Sequence, residues 1–400
     1  MVALGLLLGF VSVLIWVGIW LHPARPWDFQ PIGDDEPLPS SPSEWPSVCI
    51  LVPARNERES LPHTLPALLQ QDYPGQFVVV VVNDRSDDGT AEIAHSIANE
   101  LRVSAPLTVI TGKELPQGWV GKVWALEQGA VHALETYQPK YLLLTDADIH
   151  HTPGSLRRLV TESESGGLSL NSRMARLRCL SLPEHLLVPP FVFFFNLLYP
   201  MRQVNDQHNH VAAAAGGCVL LATEALNHAG GFACIRDQII DDVSLAQQIK
   251  AQGLPMQLAL SRSEVESLRV YDTLEKIWVM VRRTAFTELR YSWTRLAGTV
   301  VGILLMFLLP PLWLFGGIVW SIVNASSGTV VVESYASLFI VIGLGAWSLM
   351  ARVYQPAIQF FALSRVWVWT LPLAGILYGA MTVDSAFRYA TGRRIGWRDR

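Results

Sequence analysis

Two long uncharged stretches, one at each end of the chain, constrain its fold more than any other feature. Residues 2–21 carry no charged side chain, and residues 297–383 contain only Glu333, Arg352 and Arg365. A helix needs roughly 20 apolar residues to cross a hydrocarbon layer about 30 Å thick. The first stretch therefore predicts one membrane helix. The second has room for about three, over Ala297–Val323, Tyr335–Ala351 and Val366–Val383.

The N-terminal stretch lacks the basic start and the small-residue cleavage site of a signal peptide. We therefore interpret residues 1–22 as a retained transmembrane helix. Residues 23–47 are rich in Pro, Ser and acidic side chains, a composition typical of a linker. A transmembrane bundle is predicted over 296–384, followed by a basic tail over 385–400.

Charge and cysteine usage argue against nucleic-acid binding, a zinc site and disulfides. The formal net charge is -4, the pI is about 6.2, and no Lys/Arg stripe with interleaved aromatic residues occurs between the apolar ends. Nucleic-acid binding is therefore not expected. The four cysteines show no C-x-x-C spacing, which indicates reduced thiols rather than a zinc site or disulfides.

The region 48–295 alternates strand-like and helix-like segments in its first half. Strands are predicted over Val48–Val52, Phe77–Val82, Leu107–Ile110 and Tyr141–Leu144, and helices over Leu61–Gln71, Thr90–Leu101 and Val123–Thr136. Such alternation predicts an α/β domain with a parallel sheet and helices on its faces. Ligands bind these sheets at the carboxyl ends of the strands.

Carboxylates follow three of the predicted strands. Asp146 and Asp148 come after the apolar run 141–144, and residues two apart on an extended chain point the same way. Paired carboxylate oxygens suit a hard divalent cation that also binds a diphosphate. Asp84 ends the second strand and is a candidate to bind a base or ribose. Asp87 and Asp88 are explained equally well as caps of the next helix.

Five motifs in order carry a resemblance to a known family. They are residues 53–57 (PARNE), 83–90 (NDRSDDGT), 145–148 (TDAD), 230–232 (GGF) and 241–245 (DDVSL). In this order they resemble the family 2 glycosyltransferases with the GT-A fold. Residues 118–126, 214–218 and 283–291 look more narrowly like the hopene-associated glycosyltransferases of bacteria. The resemblance implies a Rossmann-like, nucleotide-diphospho-sugar transferase domain between a membrane anchor and a helical membrane bundle.

The resemblance also implies roles for individual residues. Asp84 would contact the nucleoside, Lys122 would lie near the donor phosphates, Asp146 near the ribose and metal, and Asp148 would bind the metal directly. The cation would be Mg²⁺ or Mn²⁺, and the family's commoner donor is a UDP-sugar. A solvated lysine at a helix start is the alternative for Lys122. The full set of expected donor-binding residues is Pro53, Asn56, Glu57, Asp84, Lys122, Asp146 and Arg290.

A base for the acceptor hydroxyl is predicted at the adjacent carboxylates that follow residues 239–240. Asp242 matches the family's catalytic position, and Asp241 is expected to support it. The alternative is that both cap the following helix. Direct attack by the acceptor oxygen would invert the configuration at the anomeric carbon, without a covalent sugar-enzyme intermediate.

Two departures from the family pattern narrow the function. Asn83 stands where the family usually has an aspartate, and residues 287–291 (TELRY) stand in place of the Gln-x-x-Arg-Trp motif of processive synthases. Arg290, or else Arg282 or Arg283, would hold the diphosphate. The missing motif favours one sugar per acceptor, and the apolar bundle favours a lipid acceptor such as a hopanoid. A processive polysaccharide synthase and an inactive membrane scaffold with a nucleotide-binding fold are the alternatives.

The expected location is the inner (plasma) membrane, with several crossings and a cytosolic catalytic domain, because nucleotide sugars are made in the cytosol. Three crossings after that domain would place the tail outside. The tail, however, carries five arginines against two aspartates over residues 384–400 and favours the cytosol. A hairpin at Pro310-Pro311 would resolve the conflict, as would a different path around Tyr354–Leu363. The aromatic stretch Leu186–Pro200 predicts either an interfacial helix or a buried core helix.

Overall fold

A computed structural model describes residues 2–29, 37–101, 105–324 and 330–392 of the chain. The strands are β1 Val48–Ala54, β2 Phe77–Asn83, β3 Leu107–Thr111, β4 Tyr141–Leu144, β5 Ile149–His151, β6 Leu170–Met174, β7 Arg176–Leu177, β8 Val219–Ala222, β9 Met256–Leu260 and β10 Val265–Ser267. The helices are α1 Val2–Leu21, α2 Leu61–Leu69, α3 Thr90–Leu101, α4 Gly121–Thr136, α5 Ser155–Gly166, α6 Leu182–Leu198, α7 Met201–Val204, α8 Thr223–His228, α9 Asp241–Ala251, α10 Leu274–Glu288, α11 Trp293–Ile303, α12 Leu309–Asn324, α13 Val330–Phe360 and α14 Leu371–Ala390.

These elements form two compact units. Within the described residues, the sheet unit contains the ten strands together with α2–α5 and α7–α9. The helical unit contains α1, α6 and α10–α14. Parts of the predicted linker and tail, residues 30–36 and 393–400, lie outside the described residues.

The main sheet has the strand order β3-β2-β1-β4-β8-β6-β9. β1 pairs in parallel with β2 and with β4, so Val48 lies beside both Phe77 and Tyr141. The expectation of a parallel sheet holds for β1–β4, whereas β8 is antiparallel to β4 and β6. β8 follows a segment that already lies at the carboxyl edge, where Thr145 Oγ1 donates to Gly217 O at 2.9 Å. The strand therefore starts where its neighbours end, and the sheet is mixed.

Side chains alternate along β1 and bury opposite faces of the sheet. Ile50 and Val52 belong to one apolar cluster with Leu65 of α2 and Ala94 of α3. On the other face α4 packs closely at Gly129, where an added Cβ would lie 2.8 Å from a methyl of Val82. Helices thus cover both faces, as the alternating sequence pattern predicts. The seven predicted strands and helices are all present, with ends shifted by at most two residues.

A second, three-stranded sheet has the order β5-β10-β7. β5 follows the Asp146–Asp148 segment directly, and β10 pairs with it antiparallel, with Ser267 beside Ile149. This pairing brings the chain after β10 back to the carboxyl edge of β4.

Four helices in the described part of the chain are long and apolar enough to cross a membrane: Val2–Leu21, Trp293–Asn324, Glu333–Phe360 and Arg365–Ala390. One precedes the sheet unit and three follow it, the number that the hydropathy pattern predicts. The hairpin at Pro310-Pro311 is not formed. Instead α11 continues through a π-helical turn at Leu304–Leu308 into α12. Proline has no backbone N–H to donate, and the wider π-helical turn just before Pro310 and Pro311 accommodates this loss without ending the helix.

The aromatic stretch near the middle of the chain forms α6, which contains Pro189 and Pro190 in its interior. Its inner face is buried in the helical unit, where Leu187 shares an apolar cluster with Ile277 and Tyr378. Tyr378 also donates a hydrogen bond to Leu187 O at 2.7 Å. This burial supports the interpretation of α6 as a core helix of the helical unit.

Candidate active site

One cleft in the sheet unit collects five of the predicted site residues. It is lined by Pro53 in β1, Asp146 beyond the end of β4, Lys122 in the first turn of α4, and Asp241 and Asp242 at the start of α9. Most of the remaining lining is apolar and is contributed by Leu126, Leu144, Val219, Phe232, Ile235 and Leu245.

Lys122 is the electrostatic centre of this cleft. Its Nζ lies 2.9 Å from Asp146 Oδ1 and 3.3 Å from Asp241 Oδ2, and its side chain is only 15% exposed. Burial opposes the positive charge, but Asp146, Asp241 and Asp242 outweigh that effect and raise the pKa of Lys122. The alternative of a solvated lysine is therefore wrong, because the ammonium group is enclosed by carboxylates from two distant segments.

Asp242 is held in place by two backbone N–H groups. Gly216 N–H donates to Asp242 Oδ2 at 2.7 Å, and Val243 N–H donates to Oδ1 at 2.8 Å. Burial, followed by the nearby negative charge of Asp241, raises the pKa of Asp242 to about 6, although Lys122 lowers it. The N-cap position of α9 is occupied by Ile240, so neither aspartate is the N-cap residue. Asp242 still satisfies one free N–H of the first helical turn.

A side chain at residue 216 would disturb this arrangement. A Cβ on Gly216 would lie 3.1 Å from Lys122 Nζ and 3.2 Å from Asp242 Oδ2. Glycine therefore lets the backbone donor approach the carboxylate closely.

Asp148 lies next to this cluster but has a different cationic partner. The segment after β4 forms a turn rather than an extended strand, so the alternation of side chains along a strand does not apply to Asp146 and Asp148. A shared site for the two carboxylates stays a prediction. Asp148 Oδ2 lies 2.6 Å from Arg269 Nε, whereas Asp146 pairs with Lys122. Burial raises the pKa of Asp148, and Arg269 offsets part of that rise.

Asp84, the predicted nucleoside contact, is fully buried at the end of β2. Arg55 Nη1 donates to its backbone oxygen at 2.8 Å and lies 3.6 Å from its Oδ2. The neighbouring Asn83 uses its side-chain oxygen to accept the Ser86 N–H at 3.1 Å. Arg55 therefore compensates the buried charge of Asp84, and the contact with a nucleoside stays a prediction.

Asn56 and Glu57 tie the loop after β1 to the loop after β2. Asn56 adopts a left-handed conformation, with φ of 54°, and its Oδ1 accepts the Asp87 N–H at 3.1 Å. Glu57 is buried, and its N–H donates to Thr90 Oγ1 at 2.9 Å. Asp88 accepts hydrogen bonds from Thr90 N–H and Thr90 Oγ1, which agrees with the helix-capping interpretation of that residue.

Arg290 belongs to the helical unit, just beyond the end of α10. It and Tyr291 both adopt left-handed conformations, with φ of 51° and 55°. Arg282, the alternative diphosphate ligand, pairs with Asp384 Oδ2 at 3.3 Å within the same unit. A role of Arg290 in donor binding stays a prediction.

His150 and His151, which follow the TDAD motif, lie in β5. His151 is fully buried, with Nε2 2.9 Å from Thr145 Oγ1 and Nδ1 3.2 Å from Ser155 Oγ. Burial lowers the pKa of His151 to about 3. With both ring nitrogens engaged, this residue supports the turn before β5 and is not a metal ligand.

Asp146 and Asp148 are the residues whose chemistry suits a divalent cation. Within the ranges that the structure describes, no group of three or more His, Cys, Asp and Glu side chains is arranged to hold a metal ion. Mg²⁺, however, is commonly bound through one or two carboxylates, with substrate phosphates and water as the remaining ligands. The two aspartates fit that kind of site, although each also has a cationic partner.

Two parts of this site could not be read from the sequence. Arg269 stands between the apolar residues Leu268 and Val270 and is in no recognisable motif. Gly216 lies within one of the strings that carry the family resemblance, but its use as a donor to Asp242 depends on the fold. Arg269 is found through the pairing of β10 with β5, which is a feature of the fold and not of the sequence.

Comparison with known proteins identifies the family of the chain. The family profile described as glycosyltransferase like family 2 matches residues 46–287. A 4,4'-diaponeurosporenoate glycosyltransferase of Staphylococcus aureus is 25% identical over 288 residues, which cover 68% of this chain and 67% of that protein. Glucomannan 4-beta-mannosyltransferase 2 of Arabidopsis thaliana is 26% identical over 250 residues, covering 62% of this chain and 45% of that protein.

One solved structure resembles the chain over nearly its whole length. Mannosyltransferase PcManGT from Pyrobaculum calidifontis, in complex with GDP-Man and Mn²⁺, aligns with a TM-score of 0.53 and covers 98% of this chain and 99% of that one. At 17% sequence identity the likeness shows the fold, a GT-A-like mixed α/β arrangement around a central sheet.

Proposed function

Because the chain belongs to the glycosyltransferase like family 2, we propose that it transfers a single sugar from a nucleotide-diphosphate sugar to the hydroxyl group of a membrane lipid. A hopanoid is our first choice of acceptor, and a UDP-sugar our first choice of donor. The observation that carries the proposal is the cleft in which Lys122 lies between Asp146 and the pair Asp241-Asp242.

In the proposed reaction Asp242 accepts the proton of the acceptor hydroxyl. The acceptor oxygen then forms a bond to the anomeric carbon as the bond to the diphosphate breaks, which inverts the configuration at that carbon. A base works best when its pKa lies near the working pH, and the raised pKa of Asp242 meets this condition better than an ordinary aspartate. Lys122 supplies positive charge to the leaving diphosphate.

A divalent cation belongs to the proposal, with Asp146 and Asp148 as its protein ligands. When bound, such an ion neutralises charge that develops on the departing diphosphate. Oxygen donors of this kind suit Mg²⁺ and Mn²⁺.

Two observations favour a lipid acceptor. The described part of the chain has four helices that are long and apolar enough to cross a membrane. One relative is named as a glycosyltransferase of 4,4'-diaponeurosporenoate, which is a lipid. We place the protein in the inner membrane with the sheet unit in the cytosol, where nucleotide sugars are made.

Mass spectrometry of lipids from cells with and without the intact chain tests the proposal. We expect a lipid that carries one added sugar and that occurs only in cells with the chain. A polymer in its place would favour a processive polysaccharide synthase. Nucleotide binding without transfer or donor hydrolysis would favour the inactive scaffold.

The activity is expected to fall as the pH drops through about 6. Asp242 must be deprotonated to act as a base, and its pKa is raised from 3.8 to about 6. The active form is therefore present above that pKa and is lost below it, by about tenfold per pH unit in kcat/KM. A pH–rate profile that stays flat down to pH values near the ordinary aspartate pKa would contradict the assignment.

A further inference from the structure

Arg269 lies two residues beyond β10 and joins carboxylates from two different strand ends. Its Nε is 2.6 Å from Asp148 Oδ2, and its Nη2 is 3.7 Å from Glu57 Oε1. The side chains of Asp148 and Glu57 are 12% and 9% exposed, whereas that of Arg269 is 38% exposed. A buried carboxylate is costly unless a charge compensates it. Arg269 supplies that charge from the solvent side.

The backbone fixes the position of Arg269. β10 pairs with β5, so Ser267 lies beside Ile149. The pairing continues by one more hydrogen bond, in which Leu268 N–H donates to Asp148 O at 2.9 Å. The backbone of Arg269 therefore lies next to that of Asp148. Its guanidinium group is close enough to pair with the Asp148 carboxylate.

We infer that Arg269 is an internal counter-cation of the metal site: it neutralises Asp148 in the metal-free protein, and a divalent cation binds Asp148 in competition with it. This inference rests on the proposed function, in which Asp148 is a metal ligand. A guanidinium group and a divalent ion on the same carboxylate repel each other, so binding of the ion has to displace Arg269 or weaken its ion pair. Since the guanidinium side chain is partly exposed, it can move into solvent.

The competition has a consequence for the order of events. In the metal-free site Arg269 already neutralises part of the negative charge of Asp148. A divalent cation without the donor therefore binds there with less favourable free energy than at an unpaired carboxylate. A donor diphosphate adds negative charge and shifts the balance toward the metal. Arg269 thereby couples metal loading to donor binding, because each ligand binds better once the other is present.

The test measures the Kd of Mn²⁺ for the full-length protein in detergent. Electron paramagnetic resonance detects the Mn²⁺ that stays free in solution. Loss of the counter-cation in Arg269→Gln is expected to tighten Mn²⁺ binding roughly tenfold. Arg269→Lys keeps the charge and should stay near the wild-type Kd. Arg157→Gln is the matched control, since Arg157 is also 38% exposed and pairs with Asp72 Oδ2 at 3.0 Å. Asp148→Ala removes the ligand itself and should abolish the tight Mn²⁺ binding.

Thermal unfolding gives a second readout that does not depend on activity. Without metal, Arg269→Gln should melt at a lower temperature than wild type because Asp148 loses its partner. Saturating Mn²⁺ should then raise its Tm by more than it raises the Tm of wild type. Wild type and Arg269→Gln binding Mn²⁺ with equal Kd would overturn the inference and leave the proposed function standing. No Mn²⁺ binding by either protein would remove both this inference and the metal from the proposed function.

Discussion

Replacement of Asp242 by asparagine is expected to lower kcat by a factor of about 10² to 10⁴, the usual contribution of a general base. Asparagine has nearly the same shape as aspartate but cannot take the proton of the acceptor hydroxyl. Its side-chain oxygen can still accept one of the two N–H groups, from Gly216 or Val243, that hold Asp242. The cleft should therefore keep its shape, and binding of the donor should be close to that of wild type.

Asp237→Asn is the matched control for this variant. Asp237 lies on the same segment ahead of α9, but its side chain is exposed and accepts a hydrogen bond from Gln238 Nε2 at 2.8 Å. Transfer by Asp237→Asn is expected to equal that of wild type. Steady-state transfer rates, together with a donor-binding titration, separate loss of the base from loss of the donor. Wild-type turnover in Asp242→Asn would eliminate Asp242 as the base.

Replacement of Lys122 by methionine is expected to reduce kcat/KM by about 10²- to 10³-fold, the typical cost of removing one preorganised partner of a developing negative charge. Methionine keeps the length and apolar part of the side chain but removes the ammonium group. Asp146 and Asp241 then lose the cation that lies 2.9 and 3.3 Å from their oxygens. The leaving diphosphate loses a positive partner as well.

The pH profile distinguishes this electrostatic role from a purely structural one. Lys122 lowers the pKa of Asp242, so its removal should move the acidic limb of the profile to higher pH than in wild type. Lys113→Met, at an exposed lysine ahead of α4, is the control and should leave both rate and profile unchanged. An unshifted acidic limb in Lys122→Met would show that Lys122 does not act on the base.

The sequence alone predicted features that depend on local patterns. The apolar stretches identify the four candidate membrane helices, because length and absence of charge suffice for that inference. The strands and helices from β1 to β4 follow from runs of apolar residues and their periods. The family follows from five short motifs in order, because motifs of this kind are recognised from residue types and spacing alone.

Only the tertiary structure decided which charged groups meet. Lys122 lies between Asp146 and Asp241, and Arg269 meets Asp148, because packing of the sheet and the β10–β5 pairing bring distant segments together. The reversed direction of β8 and the burial of α6 likewise depend on where a segment starts in space and on what covers it. Sequence patterns report the preference of a segment for strand, helix or membrane. They carry no information on the partner of a buried charge, since that partner is set by contacts between residues far apart along the chain.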